Sequence, residues 1–203
     1  MKNRVLILTY WSFQDALIQT YTLPYIKILK EQNPRFEFWL VTMEKAPYRI
    51  EKEEWKSKEA EMALYGIHLM PVKYHRFGFR AVISMSGLFC RLVPFILLKK
   101  INLIYAWCTP AGGLAYILSV ITRRKLIVDS FEPHAEPMVE AGAWRRTGAA
   151  FRMLFWLEKH QVRRARAVIG CVAGMKEYIR EKYHTEPRNF YWKPACVDME
   201  LFS

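Results

Sequence analysis

The sequence has no apolar run near the roughly 20 residues that a membrane-spanning helix needs. Its longest, LVPFILL and LAYILSVI, fall well short. It shows no secretory signal, because MKNRVLILTYWSFQD holds too short an apolar run and reads as a first β-strand. Its four cysteines, Cys90, Cys108, Cys171 and Cys196, include no CxxC pair and sit mostly in apolar surroundings. That is the usage of reduced thiols in a cytoplasmic protein, not of a disulfide framework or a zinc site. Internal repeats, low-complexity linkers, zinc-finger spacing, an RNA-binding signature and a basic recognition helix are all missing. A soluble or peripheral protein is expected. Acidic residues are scarce: 19 Asp and Glu stand against 31 Lys and Arg, a formal net charge of +12. Such an excess suits a polyanion, whether nucleic acid, anionic lipid or a phosphorylated substrate. Without a recognition motif, nucleic acid is the least supported of the three.

What is present is material for a core. The chain has 203 residues, 52% hydrophobic and 15% aromatic, enough for one large domain or two small ones and too apolar for disorder. Short apolar, β-branched runs predict strands at 4–9, 36–42, 67–72, 101–107, 125–129, 167–171 and 189–193. Between them, helical spacing predicts helices at 15–32, with Pro24 in its path, at 51–66, closed by Gly66, and at 79–99, 111–121, 146–165 and 173–183. Strand–helix alternation implies right-handed crossovers. The fold class expected is α/β, a doubly wound, mainly parallel sheet of about seven strands covered on both faces.

Ligands of such sheets bind beyond the carboxyl ends of the strands. Three loops bring polar residues there. YWSFQDALIQ carries Ser12, Gln14, Asp15 and Gln19 where a strand meets a helix N-terminus; Asp15 would bind a ligand there or merely cap the helix. WCTPAGG carries Thr109 and the paired Gly112 and Gly113, which let backbone approach a ligand or make a tight turn. KLIVDSFEPHAEPMVEAGAW follows an apolar run with Asp129, Glu132, His134, Glu136 and Glu140, and Pro133 and Pro137 predict a loop there, not a helix. A metal site, a ligand-contacting site and a solvated loop are its three readings. Metal is the weakest, since His134 and Glu136 lack the i, i+4 spacing of a zincin pair.

Arg145, Arg152, Lys159, Arg163 and Arg166 follow one another at spacings of seven, seven, four and three. On one helix they share a face, beside an apolar face of Phe151, Leu154, Phe155 and Val162. The face is either simply solvated or docks on an anionic membrane or phosphate group; the segment 74–100 either helps, with Phe77, Phe79 and Leu88 as inserting residues, or forms an ordinary core helix.

The last 47 residues, LEKHQVRRARAVIGCVAGMKEYIREKYHTEPRNFYWKPACVDMELFS, carry a run seen elsewhere. Arg164, Ala165, Ala167, Val168 and Ile169, then Met175, Lys176 and Tyr178, then Val197, Asp198 and Phe202 match R-A-D-A-V-I-x-V-S-x-x-M-K-x-Y followed by V-I-P-N-G-V-D-x-x-x-F. IQTYTLPYI matches G-Q-S-x-V-L-P-Y-L at Gln19, Leu23, Pro24 and Tyr25, and Asp129, Glu136, Gly142 and Trp144 match D-x-R-G-F-x-x-D-E-x-x-x-G-x-W. In these motifs the chain resembles the two-Rossmann-domain (GT-B) glycosyltransferases of the retaining family 4. It departs at Arg166, at Ala173, at PACVD and at Ser12-Phe13-Gln14-Asp15, where a glycine-rich turn is usual.

The resemblance implies that residues 1–203 form one Rossmann-like, acceptor-side domain, ending in the interdomain linker at about 194–203, without the donor-binding second domain. The whole enzyme would then move a sugar from a nucleotide sugar to a saccharide or lipid-linked acceptor in cell-surface glycan or polysaccharide synthesis. It would work in the cytoplasm or at the inner membrane face, with no cofactor and no metal. His134, Glu136, Glu132 and Asp129 would lie at the donor cleft, and Ser12, Gln14, Asp15, Gln19, Thr109, Gly112 and Gly113 at the acceptor. No side chain need be a nucleophile, because the donor's leaving phosphate is thought to help deprotonate the acceptor. The rival is a non-catalytic module of the same fold that binds glycan, lipid or another subunit.

Overall fold

A computed structural model describes residues 3–48, 50–75 and 79–194. Seven strands, β1 (Asn3–Leu8), β2 (Phe36–Glu44), β3 (Ile67–Lys73), β4 (Leu103–Trp107), β5 (Lys125–Phe131), β6 (Ala167–Gly170) and β7 (Phe190–Trp192), run in the order β3-β2-β1-β4-β5-β6-β7. The pairs β1–β2, β2–β3, β5–β6 and β6–β7 are parallel. Helices α1 (Leu23–Gln32), α2 (Lys52–Leu64), α3 (Phe79–Leu98), α4 (Thr109–Thr122), α5 (Ala135–Glu140), α6 (Ala149–Arg164) and α7 (Met175–Tyr183) lie between or beside them. This is the Rossmann-like α/β class that the alternation predicts. The strands read as unbroken apolar runs because both faces are covered: Val5 to Leu8 are each at most 1% exposed.

The chain divides into two compact units, one running through Leu103 and one spanning Ile104–Pro194. The first holds β1–β3 and α1–α3. Upstream of α1 the chain is wound as a π-helical turn, Leu17–Thr22, with the Leu23 N–H reaching the Ile18 carbonyl. The wider turn accommodates Pro24, whose ring would press on the carbonyl four residues back in a regular helix. Gly66 takes φ +66° just past α2, the left-handed stop its sequence position predicts. Leu88 is 4% exposed. As a core residue of α3 it does not insert into a membrane, which corrects that expectation. Phe77, the side chain of Phe79, and the PACVD end beyond Pro194 lie outside the described residues.

The second unit holds α4–α7 with their strands. Three expectations change here. Gly112 and Gly113 are not in a loop but within α4, buried against α6. The segment with Pro133 and Pro137 contains a helix after all: Pro137 is the third residue of α5, within the first turn, where a missing N–H costs no bond. Finally, α6 begins at Ala149 and ends at Arg164, so Arg145 and Arg166 are off the basic helix.

A Cβ on Gly112 would lie 1.6 Å from Gln161 Oε1, on a fully buried side chain of α6. Glycine to alanine in a helix usually stabilises by about 1 kcal/mol. Here the sign should reverse: Gly112→Ala is expected to destabilise by about 1–3 kcal/mol in urea unfolding. Adding Gln161→Ala should relieve the clash, so the double variant should lose less than the sum of the two single losses. Strict additivity would mean that the two helices do not meet at this point.

Candidate functional site

In the second unit, the polar residues predicted from the sequence gather at the carboxyl ends of β4 and β5. The chain leaves β4 through Cys108, whose φ of 75° is a conformation that favours glycine, and the Cys108 N–H donates to the Asp129 carbonyl at 2.9 Å. The Thr109 hydroxyl accepts the Glu132 N–H at 3.1 Å and donates to the Glu132 carbonyl. One side chain thus ties the loop after β5 to the start of α4.

Asp129 is fully buried. Its carboxylate accepts from Lys193 Nζ at 2.6 Å and from the Tyr105 hydroxyl. The same ammonium lies 4.4 Å from the centre of the Trp107 ring. The cation arrives from the segment after β7, where the Lys193 N–H donates to the Gly170 carbonyl at 3.0 Å.

Glu158 of α6, also fully buried, holds the start of α5. Its Oε1 accepts the N–H groups of His134 at 2.7 Å and Ala135 at 3.0 Å, and its Oε2 accepts the Tyr183 hydroxyl at 3.0 Å. Burial pushes the Glu158 carboxyl above the ordinary carboxylate range, and the two N–H groups and the Tyr183 hydroxyl offset only part of that. The Tyr183 phenol is likewise raised, first by burial and then by the Glu158 charge. Neighbouring Tyr178 is pushed up to about 12 for the same two reasons.

Glu136 forms a two-pronged ion pair with Arg146, at 2.6 and 2.5 Å. Glu136 is buried while Arg146 is mostly exposed and lies over the Phe151 ring at 5.5 Å. The hydrogen bond to Glu136 is the main reason the guanidinium pKa is raised. In this arrangement Glu136 orders the loop.

His134 is the remaining group. Its Nδ1 sits 2.8 Å from the Glu132 carbonyl, an acceptor only, so Nδ1 carries the proton. A neutral ring then offers Nε2 as an acceptor for a hydroxyl proton; a charged ring offers it as a donor to a phosphate oxygen. Among the described residues no three His, Cys, Asp or Glu side chains gather as a metal site.

In the first unit, the loop after β1 is held by its own side chains. Ser12 Oγ donates to the Met43 carbonyl at 3.1 Å and accepts the Lys45 N–H at 2.8 Å. Asp15 Oδ1 accepts the Leu17 N–H at 3.0 Å, the capping role among its two readings. Gln14 Nε2 reaches Glu54 at 3.2 Å, and Gln19 Nε2 donates to the Phe13 carbonyl at 2.6 Å. A cavity of about 350 Å³ opens beside Gln19, lined by Phe13, Leu23, Pro24, Lys27, Lys58 and Met62 among others. Glu44, which the sequence did not single out, accepts the Phe13 N–H at 3.1 Å, and burial raises its carboxyl pKa.

Of the basic residues, Arg152, Lys159 and Arg163 share one outer face of α6, whereas Arg166 follows the helix, donating its N–H to the Leu126 carbonyl at 2.8 Å. Sequence reasoning missed Glu158, Tyr183, Arg146 and Lys193. Only Glu158 carried a signal: it stands on the apolar stripe of its helix, seven residues after Phe151 and four before Val162.

No known protein family matches the chain, and no curated protein matches it in sequence. Solved structures do. Sucrose-phosphate synthase from Thermosynechococcus elongatus matches 99% of this chain with a TM-score of 0.67 at 10% identity, over 50% of its own length. HepE from Anabaena, solved in complex with UDP-glucose, matches 98% with a TM-score of 0.60 at 14% identity, over 45% of its length. A glycosyltransferase from Rickettsia africae matches 100% with a TM-score of 0.59 at 9% identity, over 45% of its length. The chain therefore spans about half the length of these structures. At such identities the likeness is one of fold, and the fold is one Rossmann-like half of the GT-B type.

Proposed function

We propose that this chain is the acceptor-side half of a retaining, family-4-like glycosyltransferase. The whole enzyme would transfer a sugar from a nucleotide sugar to a saccharide or lipid-linked acceptor in glycan or polysaccharide synthesis, at the cytoplasmic membrane face. The observation that supports this best is the match of nearly the whole chain to 45% of HepE, which was solved with a nucleotide sugar bound. The motifs over Arg164–Tyr178 and at Asp129, Glu136, Gly142 and Trp144 point the same way. In this reading residues 1–203 are one acceptor-side domain that leads through a linker at about 194–203 into a donor-binding domain.

The residues divide their work. Glu136 with Arg146, and Glu158 with Tyr183, hold the loop after β5 in place. Glu132 fixes the His134 ring through its carbonyl. His134 then presents Nε2 to the donor's phosphate oxygens or to the acceptor hydroxyl, and the loop after β1 bears on the acceptor. No metal or cofactor is assigned.

Two measurements test this. The 203-residue chain should fold and turn over no nucleotide sugar; turnover near typical enzyme rates of about 1–10³ per second would overturn the reading. In the full enzyme, His134→Ala should lower kcat about a hundredfold with an unchanged melting curve, the usual loss for one hydrogen bond to transition-state charge. Unchanged kinetics would leave His134 as a loop-ordering residue only.

A further inference from the structure

Helices α4 and α6 pack together, and both leave large apolar side chains exposed on their outer sides. Its seam is aromatic. Tyr116 packs edge-on against Trp156 at 5.7 Å and lies 5.9 Å from His160, and Trp156 and His160 stack at 3.9 Å. Large apolar side chains flank the seam in the open: Ile117 is 39% exposed, Val120 48%, Ile121 54%, Met153 61% and Trp156 48%. The inner sides of both helices are already used, with Leu114, Ala115 and Leu118 of α4 and Phe151 and Val162 of α6 buried. The outer apolar side chains are therefore surplus to the core. Arg164 locks the two helices together, donating to the Ser119 carbonyl at 3.1 Å and the Arg124 carbonyl at 3.2 Å.

The exposed charge on these two helices has one sign. The only acidic residue in either helix is Glu158, which is buried. Arg152, Lys159 and Arg163 lie four residues before and three and seven after Trp156, along one face of α6. Arg123, exposed, stands at the C-terminal end of α4.

We propose that this α4–α6 face docks on an anionic bilayer surface. Met153, Trp156, Ile117, Val120 and Ile121 enter the boundary between headgroups and acyl chains, and Arg123, Arg152, Lys159 and Arg163 meet the lipid phosphates. The pattern is that of an interfacial amphipathic surface: an apolar centre with a tryptophan, a cationic rim and no acid. A second copy of the chain fits less well, because a two-fold contact sets each patch against itself and brings the four cations against like charges. Nucleic acid is met by the cations alone and leaves the apolar centre unexplained. The proposal gives the membrane-face location above a defined surface, yet it does not depend on sugar transfer and can fail or hold without it.

Co-sedimentation of the 203-residue chain with phosphatidylcholine vesicles, with and without about 30% phosphatidylglycerol, tests it. Binding to the anionic vesicles should exceed binding to the neutral ones at least tenfold and fall steeply as salt rises from about 0.1 M to about 1 M. Two variants with unchanged melting curves separate the terms. Arg123→Gln/Arg152→Gln/Lys159→Gln/Arg163→Gln should lose the preference for anionic lipid. Met153→Ser/Trp156→Ser should bind more weakly at every salt concentration. Lipids brominated near the headgroup should quench part of the chain's fluorescence, and Trp156→Phe should abolish that quenching. Equal binding to both vesicle types, no loss in either variant, displacement of bound chain by an arbitrary DNA duplex, or a dimer that Met153→Ser/Trp156→Ser breaks would each overturn the proposal.

Discussion

Asp129→Ala should cost about 3–5 kcal/mol and lower Tm by roughly 10 °C. The carboxylate is fully buried, and its removal breaks the ion pair with Lys193 Nζ, 2.6 Å away in the wild type. Lys193 keeps the Trp107 ring at 4.4 Å, which offers much less than a carboxylate. The Tyr105 hydroxyl loses its hydrogen bond to that carboxylate as well. The cost is thus mostly that of taking a carboxylate from a partly buried cation, and a double variant can show it. Asp129→Asn/Lys193→Met removes both charges at similar volume and should recover most of the loss, because a buried ion pair adds little over apolar packing. Urea unfolding of the single and double variants measures this. A loss under about 1 kcal/mol in Asp129→Ala, or a double variant no better than the single one, would mean that Lys193 finds water instead.

The fold was legible because its strands are buried on both faces. Val5–Leu8, Leu40–Val41 and Leu126–Val128 read as compact apolar runs, and alternation with helices then leaves few topologies. The errors have local causes. Prolines at 133 and 137 suggested a loop, but the first turn of a helix has no use for the missing N–H, so Pro137 sits inside α5. The glycines of WCTPAGG suggested a turn, but Gly112 and Gly113 are helical, where the missing side chains make room for Gln161 and Leu157. Leu88 suggested an inserting residue, but helical spacing alone does not say which side of α3 faces the core.

The site was legible in part. A carboxylate closing a buried strand marked Asp129, and its loop marked Glu132, His134 and Glu136. What their partners would be lay beyond reach, since Lys193 is 64 residues from Asp129 and Arg146 is an ordinary surface arginine in a chain with many. Local spacing holds no information on such long-range pairs. Glu158 differs. It interrupts an apolar stripe, and a carboxylate there must either point away or be paired in the core.

Glu158 should therefore separate its two variants more sharply than any other residue in the second unit. Glu158→Ala strands the His134 and Ala135 N–H groups and the Tyr183 hydroxyl in a buried site. At about 1–3 kcal/mol for each unsatisfied group, partly relieved by entering water, the loss should be about 3–5 kcal/mol at neutral pH. Glu158→Gln keeps an acceptor for both N–H groups and carries no charge, so it should cost little at neutral pH. The carboxamide and the carboxylate then part company with pH. Burial raises the Glu158 pKa, so the folded chain holds that proton more tightly than the unfolded one. The associated stability is fully present below the ordinary carboxylate pKa and is lost as pH rises through the raised value in the fold. Wild type should thus gain on Glu158→Gln as pH falls from neutral towards about 4.5, the ordinary value. Glu44, raised for the same reason, is common to both chains and cancels in the comparison. Urea midpoints across this range settle the matter: parallel pH profiles for wild type and Glu158→Gln would mean that the carboxylate is solvated in solution, and a stable Glu158→Ala would mean that water replaces it as the cap of α5.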